Sequence, residues 1–286
     1  MMNKSLVASG FALLWTSCVI SVDDWGGEAR FTNYQSSETV GEEQRLEANI
    51  ELNIGTLEID AGSPLNVYDL DLYYNEAAFR PDLDFRREGD VAHLDFQLKG
   101  EGRSIRKLDK TRMNLRLNPT LALRLEAQTG VGETQIDLSG MKIESLRLEN
   151  GVGETTLSML SPNSGDCDRI EVRNGVGSLE ITGLGNFGFR QMQFQGGVGG
   201  AKLDFSGSWE REGEVDIAVG IGGVKILLPR NLGAEVRMSK NLLSGIDASE
   251  FRKKGNTYYS NNLDHVDKVV RFRIRTGIGG ISIRWI

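Results

Sequence analysis

The sequence is poor in cysteine, histidine and proline, and each shortage excludes a class of structure or site. Two cysteines and two histidines occur in 286 residues, so neither a disulfide framework nor a zinc site is expected. Only five prolines accompany 35 glycines, a balance that is typical of a turn-rich β protein. No segment has a sustained 3.6-residue hydrophobic period, so little helix is expected.

Basic residues are also in the minority, with 33 Lys and Arg against 40 Asp and Glu and a net charge of −7. A nucleic-acid partner requires a basic surface, so we expect none. His93 and His265 are far apart and lack the spacing of metal ligands. We therefore expect no metal and no cofactor.

What the sequence has in abundance is a repeated Gly-x-Gly motif with Val or Ile at its centre. The first glycines of its six copies are 21, 24, 22, 23 and 57 residues apart, and we interpret the last interval as two longer turns plus an insertion. A period in the twenties is typical of stacked β units. The motif glycines are Gly130, Gly132, Gly151, Gly153, Gly175, Gly177, Gly197, Gly199, Gly220, Gly222, Gly277 and Gly279.

Each motif lies between two runs that alternate apolar and polar residues, as in Leu146 and Leu148 before Gly151. This pattern predicts half-buried strands, and the glycines would permit positive φ or close backbone approach at the bend. We interpret the central Val or Ile as an inward-pointing plug. Val198→Asp is therefore predicted to be strongly destabilising.

Stacking the repeats in parallel register places opposite charges beside each other. Arg147 would lie between Glu126 and Glu171, and Arg173 would lie beside Glu149. The predicted fold is a single-chain, all-β, β-helix-like solenoid of roughly 22-residue strand–Gly-x-Gly–strand rungs.

The N-terminus has the features of a secretory signal followed by a lipid-attachment site. Lys4 precedes a short apolar run, and Leu14-Trp15-Thr16-Ser17-Cys18 resembles a bacterial lipobox. We predict cleavage before Cys18 and its acylation, with ordinary secretion or an uncleaved anchor as alternatives. Val19 is not the aspartate that retains lipoproteins at the inner membrane, so the outer membrane or its periplasmic face is expected in a two-membrane bacterium. The single cysteine left, Cys167, is expected to be an incidental free thiol.

The remaining organisation follows from composition and pattern. Residues 1–17 form the predicted signal peptide, and the polar residues 18–43 are interpreted as a flexible tether. Residues 44–120 form an N-terminal β region with a hairpin around Gly89. Residues 121–286 form the repeat solenoid, with an inserted hairpin near 241–262.

Two parts of the chain resemble known families. The runs from Pro229, from Phe251 (Phe-Arg-Lys-Lys-Gly-Asn-Thr-Tyr-Tyr-Ser) and from Thr276 (Thr-Gly-Ile-Gly-Gly-Ile-Ser-Ile) resemble the C-terminal domain of LiaF-type envelope-stress proteins. The run from Leu46 to Leu83 is similar to the N-terminal region of the toastrack family. The resemblance implies a β-solenoid displayed at the bacterial envelope, with relatives among proposed adhesins and no known catalytic residues.

No motif predicts catalysis or nucleotide binding, because a strand and not a helix follows every glycine motif. We expect a non-catalytic envelope lipoprotein that binds a protein partner or a wall component, and the resemblance implies a link to envelope stress. A glycan-binding adhesin and, less favoured, a polysaccharide lyase are the alternatives. The candidate binding residues are Trp209, Tyr258, Tyr259, Arg271, Arg273 and Arg275.

Overall fold

The computed structural model describes residues 29–100, 110–239, 244–248 and 250–286, which form nineteen strands and two short 3₁₀ helices. None of the helices in this part of the chain has the length and apolar character needed to cross a membrane. The strands are β1 (Phe31–Thr39), β2 (Arg45–Ile54), β3 (Thr56–Ala61), β4 (Asn66–Asn75), β5 (Phe79–Glu88), β6 (Val91–Gly100), β7 (Arg112–Leu117), β8 (Ala122–Val131), β9 (Thr134–Asp137), β10 (Lys142–Ser158), β11 (Arg169–Thr182), β12 (Gln191–Val198), β13 (Ala201–Asp204), β14 (Gly213–Leu228), β15 (Gly233–Met238), β16 (Ser244–Asp247), β17 (Phe251–Lys254), β18 (Thr257–Ser260) and β19 (Val269–Trp285). The 3₁₀ helices are Leu184–Phe187 and Leu263–His265.

The predicted all-β solenoid is confirmed. Each rung has a first strand, a corner at the glycine motif and a second strand, and neighbouring rungs pair in parallel and in register. Arg147 lies opposite both Glu126 and Glu171, and Glu149 lies opposite Arg173, which is the predicted register. In this register the inward apolar side chains of one rung lie directly above those of the next, so each rung is covered by its neighbours.

The first and second strands of the rungs form two continuous faces. The first face runs in the order β5, β6, β2, β8, β10, β11, β12, β14, β19, β15, β18 and β17. The second face runs in the order β1, β4, β7, β3, β9, β10, β11, β13, β14, β19 and β16. Antiparallel strands cover three of the four ends, so most of the parallel ladder edges are paired.

The last strand of the chain lies inside the stack and not at its end. β19 pairs in parallel with β14 on one side and with β15 and β16 on the other. The 57-residue interval before Gly277 contains the β15–β16 rung, the β17–β18 hairpin and the return to β19, so the expected two turns plus an insertion are present, but the two rungs do not stack in chain order. The rung of β15 and β16 comes first along the chain, and the β17–β18 hairpin follows it. The chain then returns as β19, which lies between β14 and the β15–β16 rung.

Part of the predicted tether is also a strand. β1, within the stretch 18–43, pairs antiparallel with β4, and its Phe31 ring stacks on Tyr73 with centroids 5.3 Å apart. Ser36 Oγ and the Tyr68 hydroxyl are 2.9 Å apart. The tether prediction is wrong for residues 31–39, because backbone pairing with an existing edge orders a polar segment that has no strong period of its own. Residues 1–28, including the predicted signal peptide, lie outside the described residues.

Candidate functional site: the corner of the solenoid

The structure requires glycine at both ends of each motif, for two different steric reasons. At Gly177, φ is 138°, and an added Cβ would lie 1.8 Å from the carbonyl oxygen of Gly153 on the rung below. At Gly175, an added Cβ would lie 2.3 Å from the carbonyl oxygen of Gly151. Real Cβ atoms do not approach so closely, so the corner requires glycine at both positions.

The inside of the corner is closed by the residue before the motif and the residue four places after its first glycine. Asn150 donates a hydrogen bond from Nδ2 to Thr155 Oγ1 at 2.7 Å, and the Thr134 hydroxyl donates to Thr129 Oγ1 at 2.9 Å. All four side chains are buried. At the Gly197 and Gly220 corners the equivalent positions are Gly196 with Ala201 and Val219 with Val224, so a polar pair is not a general feature of the corner.

The central Val or Ile points out of the solenoid at all six corners, whatever residues fill the inside of the bend, and the predicted inward plug is wrong. These six residues are between 45 and 53% exposed. Because their rungs are in register, they form a continuous row of branched aliphatic side chains along the corner. We call this row the corner column: Val131, Val152, Val176, Val198, Ile221 and Ile278. It is about 24 Å long at ~4.8 Å per rung.

Beside the corner column, the second face carries an open trough of about 610 Å³. Its floor includes Gly200, Gly223 and Gly280, each directly after the second motif glycine. A Cβ on Gly200 would meet no atom within 4 Å, and on Gly223 or Gly280 only a backbone oxygen at 3.7 Å. Packing therefore does not require glycine here, in contrast to the motif glycines.

Charge changes sign along the same surface. Glu133 and Glu154 stand exposed at one end, at the position where the next rung has Ser178 and the following rungs have glycine. Lys202 and Lys225 lie toward the other end. At the boundary Lys202 Nζ lies 2.7 Å from Glu180 Oε1. We call the corner column, together with the outward residues two and four places after it on the second face, the corner strip.

The predicted arginine strip lies on the other face and is engaged in ion pairs. Arg273 contacts Asp216 at 2.7 Å and Glu214 at 2.9 Å, and Arg271 contacts Glu212 at 2.7 Å. The hydrogen bonds that Arg273 donates to Asp216 and Glu214 raise the pKa of its guanidinium group. Arg275 is exposed beside them and lowers the pKa of Asp216 by its charge, after the larger effect of the hydrogen bond from Arg273. Arg271 and Arg273 thus bind acidic side chains within the stack, which accounts for these two arginines without a ligand.

The predicted aromatic residues are not brought together into one platform. Trp209 packs edge-on against Phe189 and stacks on Phe205, and its indole N–H donates to the Phe205 carbonyl at 2.8 Å. Tyr258 and Tyr259 lie on β18, where Lys253 Nζ sits 5.1 Å from the Tyr258 ring centroid. Trp209 thus closes a connecting loop, and the tyrosines belong to the terminal hairpin.

The structure describes only one of the two cysteines, Cys167. Cys18 lies outside the described residues. Cys167 is fully buried, and burial, reinforced by the negative charge of Asp168, raises the pKa of its thiol to about 12. A thiol with such a pKa is protonated and unreactive near neutral pH.

Sequence reasoning missed the corner column, although a signal was present. Before each motif the inward residues fall at odd distances from the first glycine, as Leu146 and Leu148 do from Gly151. After it they fall at even distances, as Thr155 and Leu157 do. The phase of the alternation therefore shifts at the corner, which is the sequence signature of a residue turned outward.

Comparison with known proteins gives one family match. The sequence profile described as the N-terminal domain of toast_rack, DUF2154, matches residues 27–182, more than half of the chain. No curated protein matches the sequence.

Among solved structures, the chain is similar to a proposed cell adhesion protein from Clostridium sporogenes, with 17% identity and a TM-score of 0.44 over 89% of this chain and 100% of that one. It is also similar to a proposed adhesin from Bacteroides fragilis, with 13% identity and a TM-score of 0.41 over 88% of this chain and 97% of that one. Likeness at these levels carries no inference about function.

Proposed function

The chain belongs to the toast_rack family, and we propose that it is a non-catalytic lipoprotein of the cell envelope that binds a protein partner through the corner strip. The observation that carries the proposal is the corner column beside the glycine-floored trough. Six exposed aliphatic side chains in one row are more than the scattered apolar residues of an ordinary surface.

The arrangement of the strip fits a protein interface in its anatomy. An apolar centre with a charged rim is the usual pattern of such interfaces. Here the corner column supplies the apolar part, and Glu133, Glu154, Lys202 and Lys225 supply charges along the side of the column that belongs to the second face. Gly223 and Gly280 keep the trough open where side chains would fit, so the surface can accept side chains from outside.

The proposed address rests on the lipobox-like sequence that ends at Cys18. Two or more acyl chains hold a protein stably at a membrane, whereas one chain gives marginal binding. Attachment at the N-terminus would place the solenoid at the membrane surface, where its corner strip could meet other envelope proteins. A link to envelope stress belongs to this proposal, as an expectation from the family resemblance.

The anchor is tested by fatty-acid labelling and membrane fractionation of the full chain in a bacterial host. Cys18→Ser is expected to abolish labelling and release the protein from membranes, and Cys167→Ala is the matched control that should retain both. Membrane association that survives Cys18→Ser would refute lipid anchoring.

The binding surface is tested with a photo-crosslinking amino acid at position 198, on the corner strip, and at position 254, on the exposed part of the β17–β18 hairpin. The first is expected to give a discrete protein adduct in living cells, and the second is the control. Equal adduct patterns at the two positions, or none at position 198, would refute the proposed interface.

A glycan-binding role is the second proposal, favoured by a pocket at the C-terminal end of the stack. The pocket has a volume of about 330 Å³, and its lining combines the Trp285 ring, on which a sugar ring can stack, with polar side chains that can hydrogen-bond to hydroxyl groups. It is lined by Arg230, Glu250, Asn261, Asn262, His265 and Trp285. Trp285→Ala is expected to abolish retention on immobilised cell-wall glycan, and retention equal to that of the unaltered chain would refute the role.

A further inference from the structure

The corner strip is complementary to itself when one copy is turned end for end. We propose that its occupant is a second copy of this chain, bound about a twofold axis that lies between the Gly175 and Gly197 rungs and parallel to their strands. The inference rests on the proposed function in one respect, that the corner strip is an interaction surface.

The twofold axis pairs the rungs in reverse order. The Gly175 rung then faces the Gly197 rung of the second copy, the Gly151 rung faces its Gly220 rung, and the Gly130 rung faces its Gly277 rung. Because the axis is parallel to the strands, each position along a rung faces the same position of the opposite rung. The two corner columns therefore meet along their whole length.

Charge is complementary in this arrangement. The acidic end of each strip, with Glu133 and Glu154, faces the end of the other that carries Lys225. At the axis, Glu180 and Lys202 of one copy lie over Lys202 and Glu180 of the other, so the 2.7 Å pair within each chain becomes part of a four-charge cluster. A parallel arrangement of the two stacks would instead bring like charges together.

Shape is complementary as well. Glu154 faces Gly223 of the second copy, and Glu133 faces its Gly280. Neither glycine is required by packing within the chain. Each glycine therefore provides a space for the opposing glutamate side chain. This accounts for glycine at two positions where the chain by itself would accommodate a side chain.

The size of the strip sets the expected affinity. It is about 24 Å long and, from the corner column to the column of Lys225, about 13 Å wide. Side-chain relief makes the total buried area on the order of 1,000 Å², at the lower end for specific complexes. We therefore expect a reversible dimer with a dissociation constant of about 1–100 µM.

The test is a charge exchange on the full chain in detergent, followed by energy transfer between donor-labelled and acceptor-labelled copies over a concentration series. E154K and K225E are each expected to weaken self-association by about tenfold or more, because each creates like-charge contacts across the axis. E154K mixed with K225E, and the double variant with itself, should recover it, since all cross-axis pairs are again opposite. The two positions are three rungs apart in one chain, about 14 Å, so recovery cannot come from an internal ion pair.

Detergent, anchor and labels are the same in every mixture, so the energy transfer between copies that merely share a micelle is constant. Glu42→Lys and Lys254→Glu, exposed and outside the strip, are the matched controls and should leave energy transfer unchanged. A concentration-independent monomer, unaltered association in both single variants, or failure of the mixture to recover would each overturn the inference.

The position-198 crosslink separates this inference from the proposed function. An adduct of twice the chain mass supports both. An adduct with another protein keeps the proposed function and overturns the dimer. An adduct with lipid alone overturns both the dimer and the proposed protein interface.

Discussion

Phe194 and Val198 lie four residues apart on β12, yet their side chains are on opposite sides of the solenoid wall. Phe194 is 2% exposed and packs in the core, whereas Val198 is 47% exposed on the corner column. In an uninterrupted strand, residues four apart face the same side. Within one strand, an apolar residue before the corner therefore faces the core, whereas the apolar residue at the corner faces solvent.

This relationship predicts a large difference between two substitutions. Phe194→Ala is expected to lower the free energy of unfolding by about 3–5 kcal/mol, because it leaves a cavity in the core. Val198→Asp, on the exposed column, is expected to change it by no more than about 0.5 kcal/mol. Chemical denaturation measures both, and a large loss in Val198→Asp would restore the inward plug.

Two glycine substitutions should separate required glycines from permitted ones. Gly177→Ala forces a Cβ against a backbone oxygen at a φ of 138°, so we expect severe destabilisation. Gly200→Ala meets open space and restricts the unfolded chain, so it is expected to be neutral or to stabilise by up to about 1 kcal/mol. Thermal melting provides the comparison, and similar midpoints would contradict the steric account of the corner.

Removing the last strand should damage the middle of the stack and not only its end. Deletion of residues 269–286 takes away β19, which hydrogen-bonds to β14, β15 and β16. We expect aggregation of the truncated chain, since β14 then presents a bare parallel edge. Light scattering tests this, and a soluble monomer with a cooperative melt would show that β19 is dispensable.

An ion-pair cluster across three rungs predicts a pH dependence of stability. Burial alone would raise the pKa of Glu144, but hydrogen bonds and charge from Arg45 and Arg124, both at 3.0 Å, outweigh it and lower the pKa. A lowered folded-state pKa gives stability that is present above the unfolded value of about 4.5 and is lost as pH falls through the folded value. Stability should therefore drop in acid.

Glu144→Gln isolates this contribution. Its melting midpoint should lie below that of the unaltered chain at pH 7, and the difference should shrink as pH falls below about 4.5. Glu42→Lys, at an exposed loop position, serves as a control for net charge. A gap that is constant from pH 7 to pH 3 would show that Glu144 acts only through packing.

The sequence by itself determined the all-β solenoid, its period and its register. Alternation set the two strands of each rung, and the spacing of the glycine motif set the stacking that places Arg173 opposite Glu149. These features are local or repeat at a fixed interval, so each of the six motif copies provides independent evidence for them. The predicted arginines also lie on one outward face, although the sequence did not show that Asp216 and Glu214 bind Arg273.

Only the tertiary structure decided what the chain cannot express locally. The sequence shows that the alternation shifts phase at each motif, but the fold decided that the central residue faces solvent and that six such residues form one column. The place of β19 depends on which edge is free when the chain returns from the β17–β18 hairpin, and β1 is ordered by the edge of β4. The trough and the charge reversal of the corner strip arise because residues about 22 positions apart become neighbours ~4.8 Å apart, a proximity that stacking alone creates.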